Sequence, residues 1–481
     1  MKLLPMKKAL FLLFTISTFS MSAQGLISNE LHQDHQTEAE GAIGPQCGSH
    51  FLMKNQDDKK PGFLEASNKA LQNIVENLEH KSKTSTTATL TIPVVFHVVY
   101  NNGDENLPDS VFQNQIRVLN DNYSRQNADT SSLRPDFQPY VGNPNIQFVL
   151  ASQDPDGNPT NGIARTSTNV EHFGGILPYN SSQTAQIQQW VADSLFYNLF
   201  RITEDSLGGA SAWDTERYLN IWVGDLRIFE PQFNNFEELV FLGLALPPGN
   251  HPNFAGTGFD TLQYSDGVLM HYVAIGPNNP IDYPAAYANL NSTLDEGDLV
   301  SHEVGHYLGL RHIWGDGGCS ADDYIDDTPL SNNSNQFSCN KQRNSCVDTI
   351  GGADLPDMIE NFMDYSADAC LNSFTADQAA VMRATLFTYR PNVFTIGQEE
   401  IALASSIQCF PNPSSGKINI VSDANPQDLQ VKIFNSAGTL ISENHFHSET
   451  KIELNLEGPI GLYIVQVSSP QDQVSFRVLK N

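Results

Sequence analysis

The chain has 481 residues, enough for two or three domains and a large buried core. A net charge of -29 argues against a nucleic-acid partner and favours solubility and oxygen-ligand cation sites, because clustered carboxylates suit Ca2+. Six cysteines make disulfides plausible if the protein is exported.

At the N-terminus Lys2, Lys7 and Lys8 precede the apolar run ALFLLFTISTF and the small residues of SMSAQ. This order predicts a secretory signal peptide over 1–23, cleaved near Ala23. Its apolar stretch is too short to span a bilayer and no later stretch is long enough, so no transmembrane segment is expected in the mature protein. Residues 24–87 are polar and poor in strand-like runs. Within them EASNKALQNIVENLEH carries Leu71, Ile74 and Leu78 at helical spacing. Lying before the first strong strand, the region reads as a removable pro-segment.

Residues 88–392 mix strands and helices. TLTIPVVFHVVYN, NIQFVLAS, YLNIWVGDL and GVLMHYVAIG read as strands. LPDSVFQNQIRVLNDNY places Phe112, Ile116, Leu119 and Tyr123 on one helical face, with Asp109 or Ser110 as the cap. The pattern is that of one α/β or α+β domain ending near Arg390. A linker at 393–406 leads to short alternating strands separated by turn residues over 407–481, which predict a small all-β sandwich. No internal repeat is evident.

The chemistry is concentrated in HEVGHYLGLRH. On a helix, residues i and i+4 share a face, so His302 and His306 can point at one ion. Glu303 lies beside them, placed to hold a water rather than to ligate. Gly309 lets the chain leave the helix with positive φ, and the turn brings His312 back as a third ligand. Three neutral imidazoles leave one tetrahedral position open, which distinguishes a catalytic zinc site from a structural one; zinc acidifies a water there and Glu303 can take its proton. The full spacing H-E-x-x-H-x-x-G-x-x-H is the metzincin signature, and it predicts a methionine turn downstream. ENFMDYS supplies it at Met363, and Tyr365 can donate a hydrogen bond to a developing oxyanion.

IPVVFHVVY, YLNIWVGDL, SHEVGHYLGLRHIWG, GGCSADDYIDDTP and NFMDYSADAC, in this order, resemble the pappalysin family of metzincins over about residues 87–390. The resemblance implies an α+β metzincin-type catalytic domain: a mixed twisted sheet, a zinc-binding active-site helix and a Met-turn. It implies zinc endopeptidase activity on peptide or protein substrates, with His302, His306 and His312 on the metal, Glu303 as general base, and Met363 and Tyr365 in the Met-turn. Four cysteines allow three pairings; the resemblance implies Cys319–Cys346 and Cys339–Cys370. A structural zinc on the four is the rival, although no C-x2-C knuckle is present. In DDYIDDTP packed carboxylates need a cation or water, and the resemblance points to Ca2+ on Asp323 and Thr328, with Asp326 or Asp327 nearby.

Related zymogens place a cysteine on the open zinc position. Cys47, in GPQCGSH, is the candidate here, although the arginine that often precedes such a cysteine is absent; a Cys47–Cys409 disulfide or an idle thiol are the alternatives. In this family the floor of the pocket for the residue after the scissile bond lies near the segment following the Met-turn, here SADAC. Its one charge, Asp368, would favour Arg and then Lys after the scissile bond if it faces the pocket. The segment GVLMHYVAIG is expected to be the edge strand that holds substrate by strand addition.

CFPNPSSGKINI, VKIFNSAGTLI and GLYIVQV resemble the C-terminal sorting domain of the type IX secretion system. That implies contact with this machinery and passage through periplasm and outer membrane to secretion or the cell surface. A surface adhesin or binding module with a vestigial zinc site is the rival class. An intact Glu303 and Tyr365 argue against it, since a decayed enzyme should lose its base first.

Overall fold

The computed structural model describes residues 25–28, 46–80, 88–245, 247–248, 265–396, 407–422, 428–435, 439–447, 451–468 and 473–481. The expected signal peptide and most of the expected linker lie outside these. Two compact units form, one drawn from residues up to Lys83 and Ile92–Phe394, the other from Thr84–Thr91 and Thr395–Asn481.

The first unit is built on a mixed sheet. Its strands are β1 (Gln46–Cys47), β2 (Leu90–Tyr100), β3 (Ile146–Leu150), β4 (Ile163–Ser167), β5 (Leu219–Gly224), β6 (Phe241–Ala245) and β7 (Val268–His271). The lateral order runs β1-β6-β7-β5-β2, with β3 and β4 also paired to β2. β2 and β5 are parallel, as are β5 and β7, whereas β6 is antiparallel to β7. The run LNIWVG in β5 is buried at every position, as expected for a strand covered on both faces.

This arrangement corrects one expectation. Val268–His271 is interior, flanked by β5 and β6, and the segment then turns into a 3-10 turn at Tyr272–Ala274. The strand beyond it is β6, from VFLGLA, and β1 pairs along β6 in parallel. Alternation could not reveal β6, because its five residues are all buried.

Helices α1 (Ser49–Lys59), α2 (Phe63–His80), α3 (Asp109–Tyr123), α4 (Asp298–Tyr307) and α5 (Ala376–Tyr389) complete the frame. Leu71 and Ile74 of α2 are buried, as their spacing predicts. α3 starts at Asp109 with Pro108 in the N-cap position and no side-chain cap, so neither Asp109 nor Ser110 caps it. α5 opens on a capping box between Thr375 and Gln378.

The N-terminal residues 25–28 and 46–80 are no loose tail. Leu26, Ile27, Leu52, Met53 and Phe63 share one core cluster with Phe196, Trp222, Phe241 and Leu244. Each large side chain so buried contributes about 1.5–3 kcal/mol. In the second unit, strands 407–410, 417–422 and 451–455 form one sheet and 428–435, 440–447, 461–468 and 473–480 another. Ile418, Ile420, Val431, Ile433, Ile452, Val465, Val467 and Val478 fill the core, giving the all-β sandwich.

Candidate metal centre and active site

α4 carries buried Asp298 in its first turn, its Oδ1 accepting from Asn122 Nδ2 at 2.7 Å, and presents His302 and His306 one turn apart. The helix ends in a Schellman motif. The Gly309 N–H reaches His306 O at 2.9 Å and the Leu310 N–H reaches Gly305 O at 3.0 Å, with Gly309 at φ 99°. Arg390 seals this end, its Nε 3.1 Å from Tyr307 O and its guanidinium 3.6 Å over the Tyr307 ring. Beneath α4, Met363 is fully buried, and a Cβ at Gly305 would run into its sulfur. The glycine inside the histidine motif therefore admits the Met-turn.

The Nε2 of His306 stands 3.1 Å from Nε2 of both His302 and His312. The other ring nitrogens are occupied. Nδ1 of His302 faces Phe362 O at 2.8 Å, that of His306 faces Leu310 O at 2.9 Å, and that of His312 faces Asp316 Oδ1 at 2.5 Å. Carbonyl partners require Nδ1–H, so the Nε2 atoms of His302 and His306 carry lone pairs. Burial holds His302 down to about 3 and His306 well below the imidazole range, helped by the neighbouring histidine, and both are neutral. The inward lone pairs of His302 and His306 cannot hydrogen bond to each other. A shared cation satisfies them, and oriented neutral imidazoles are a zinc donor set.

Cys47 Sγ completes the group: the four ligand atoms lie within 4.8 Å of one another. No other gathering of three or more His, Cys, Asp or Glu ligand atoms occurs among the described residues. Burial and the Glu303 carboxylate push the Cys47 thiol well up, so a cation is what would make it a thiolate. Cys47, buried, and Cys409, half-buried, are both free thiols.

Glu303 is fully buried. Its Oε2 lies 3.3 Å from Ser49 Oγ and 3.4 Å from Cys47 Sγ, while Oε1 has no partner. Burial raises its carboxyl to about 8. The ring of Tyr365 packs 5.5 Å from that of His302 and 4.9 Å from that of His312, and its hydroxyl donates to Cys47 O at 3.3 Å. Asp316 was not singled out in the sequence, although it follows His312 by four residues. Besides fixing His312, its Oδ2 pairs with His50 Nδ1 at 3.3 Å.

Asp368 is buried beside the metal centre and lines a cavity with His302, Tyr365, Leu294, Leu299 and Leu371. Its Oδ2 accepts the N–H groups of Glu296 at 2.9 Å and Gly297 at 3.2 Å, leaving Oδ1 without a partner. Burial pushes Asp368 up to about 7. Ala369 is exposed.

Disulfides Cys319–Cys346 and Cys339–Cys370 tie the loop between α4 and the Met-turn, so the four-cysteine zinc reading falls. Within that loop, Asp323 Oδ1 accepts from Thr328 Oγ1 at 2.8 Å and from the Ile325 N–H at 3.1 Å, and its buried Oδ2 has no partner. Asp326 is exposed, and Asp327 turns to the start of α5, accepting the Asp377 N–H at 2.9 Å. The carboxylates are thus not gathered around one point.

Against known proteins, a metallopeptidase family model described as pregnancy-associated plasma protein-A matches residues 275–387. The structure is similar to that of a promirolysin mutant from Tannerella forsythia, 33% identical, covering 72% of this chain and 96% of that one at a TM-score of 0.54. The chain belongs to the pappalysin family of zinc metalloendopeptidases. An extracellular metalloprotease of Arthroderma gypseum is 24% identical over 318 residues, 65% of this pappalysin and 78% of that protein. One from Arthroderma benhamiae is 44% identical over 92 residues, which span 18% of this chain but only 29% of that relative. Residues 408–481 match a secretion-system C-terminal sorting domain, which marks an exported protein. No described helix is long and apolar enough to cross a membrane.

Proposed function

We propose that this pappalysin is a secreted endopeptidase made as a zymogen, with His302, His306 and His312 holding zinc, Glu303 as general base and Cys47 blocking the site until residues 24–87 are removed. The supporting observation is the convergence of three imidazole nitrogens and the Cys47 thiol on one point, with Glu303 alongside. Zinc bound there supplies Lewis acidity toward water and the scissile carbonyl. Glu303 takes a proton from the attacking water and returns it to the leaving amine, a transfer suited to a carboxyl raised toward neutrality. Tyr365, freed from Cys47 O, donates to the developing oxyanion. β6, freed from β1, is the strand that pairs with extended substrate.

Two finer assignments belong to the same reading. The partnerless buried oxygen of Asp368 favours Arg, and less so Lys, after the scissile bond. The partnerless Asp323 oxygen beside Thr328 supports a structural Ca2+ in the disulfide-tied loop. The sandwich domain would engage the type IX secretion machinery, leaving the protein released or at the cell surface. Casein hydrolysis before and after removal of residues 24–87 tests the main reading: the processed protein digests casein and the full chain does not. A processed protein with no activity in added zinc would favour the adhesin reading.

A further inference from the structure

Residues 47–50, CGSH, meet a different part of the active site at each position. Cys47 Sγ joins the three imidazoles, and its carbonyl takes the Tyr365 hydroxyl. The Gly48 N–H bonds Gly243 O of β6 at 2.8 Å; a Cβ on Gly48 would press on Leu244 and Phe241 at 3.1 Å, so glycine gives the closest approach. His50 pairs with Asp316, the carboxylate behind His312.

Ser49 is the residue that the cysteine reading leaves unexplained. It is buried, and its Oγ accepts the N–H of Ala245 on β6 at 2.9 Å. That bond leaves the hydroxyl hydrogen free to point at Glu303 Oε2, 3.3 Å away. Cys47 Sγ lies 3.1 Å from the same Oγ. A hydroxyl beside the atom at the fourth metal position thus supplies Glu303 with the hydrogen bond that an attacking water would otherwise donate. We propose that Ser49 is a second latency determinant, its hydroxyl occupying Glu303 and excluding the nucleophilic water independently of the Cys47–metal contact. This rests on the zymogen reading and adds to it. Displacing Cys47 alone would leave the base engaged; both contacts must break before Glu303 can activate water. The bond to Ala245 fixes the hydroxyl, so dissociation of the pro-segment from β6 and release of Glu303 are one event.

The test compares Ser49→Ala, Cys47→Ala and the double variant in the full chain, each checked for zinc content and melting temperature. A hydrogen bond to a charged group sets the expected scale. Ser49→Ala raises premature peptide hydrolysis about 10-fold or more with zinc retained, Cys47→Ala leaves residual latency, and the double variant loses it. Synthetic peptides of residues 46–60 with Ser or Ala at position 49, added to the processed protein, should differ in inhibition constant by about 10-fold; this holds even if a full-length variant fails to fold. Ser49→Ala as silent as the parent, or equal inhibition by the two peptides, overturns the proposal while the zymogen reading stands. A parent chain as active before processing as after would overturn the zymogen reading and this proposal with it.

Discussion

Glu303 and Asp368 are both carboxylates held in dry surroundings with one oxygen unpartnered, yet they face different tasks. Glu303 adjoins the metal position without being one of its ligand atoms. Glu303→Ala is therefore expected to keep zinc and to lower peptide hydrolysis by at least about 100-fold, the lower end of general acid–base contributions. Metal analysis beside turnover checks it, and loss of zinc would mean that Glu303 is a ligand. Asp368, pushed up to about 7 by burial, is neutral below that pH and charged above it. Preference for Arg over Leu after the scissile bond should rise as pH climbs through 7. Asp368→Asn should flatten that rise and reduce hydrolysis before Arg by roughly 10-fold to 100-fold, as loss of a charge-assisted pair implies. A peptide-library digest at several pH values measures both, and a profile the variant leaves unchanged would remove Asp368 from specificity.

At the scale of elements, the disulfide-tied loop connects α4 to the Met-turn. Cys339–Cys370 spans 31 residues, and its loss should cost about 3–4 kcal/mol by the loop-closure argument. Thermal melting of Cys339→Ser/Cys370→Ser with zinc added measures this; an unchanged melting temperature would mean that the metal site alone orders the loop. A second element-scale contact anchors residues 26–28. Leu26 N–H donates to Glu230 at 3.2 Å, and Ile27 and Ser28 N–H donate to Glu238 at 3.1 and 2.8 Å. Burial and the adjacent Glu238 push Glu230 up to about 10. A raised carboxyl favours the protonated fold, so the stability of the latent chain should fall as pH rises from the ordinary glutamate range toward 10. Glu230→Gln, which mimics the neutral form, should melt progressively higher than the parent as pH rises from 6 to 9; a difference constant with pH would contradict this. These elements were unequally legible. α4 and its glycine exit could be read because ligand spacing and helix termination are local. β6 could not, since a five-residue apolar run gains its place only through partners distant in sequence. α1 was missed because SHFLMKNQDDK has no apolar stripe, and Ser49 and His50 acquire meaning only against Glu303 and Asp316.

Across the whole molecule, one chain joins a catalytic unit, an N-terminal segment that packs into that unit's core and sets Cys47 beside the three histidines, and a sandwich that marks it for export. This order is coherent with the proposed zymogen. Three imidazoles turn their Nε2 atoms toward one point beside Cys47 Sγ, a donor set suited to zinc. The most direct measurement is metal content and casein hydrolysis of the processed protein, before and after a zinc-selective chelator and again after zinc is restored. One zinc per chain, with activity that disappears with it and returns with it, is the result predicted here. Full activity in a protein stripped of zinc, or no zinc bound when all three histidines are present, would contradict it.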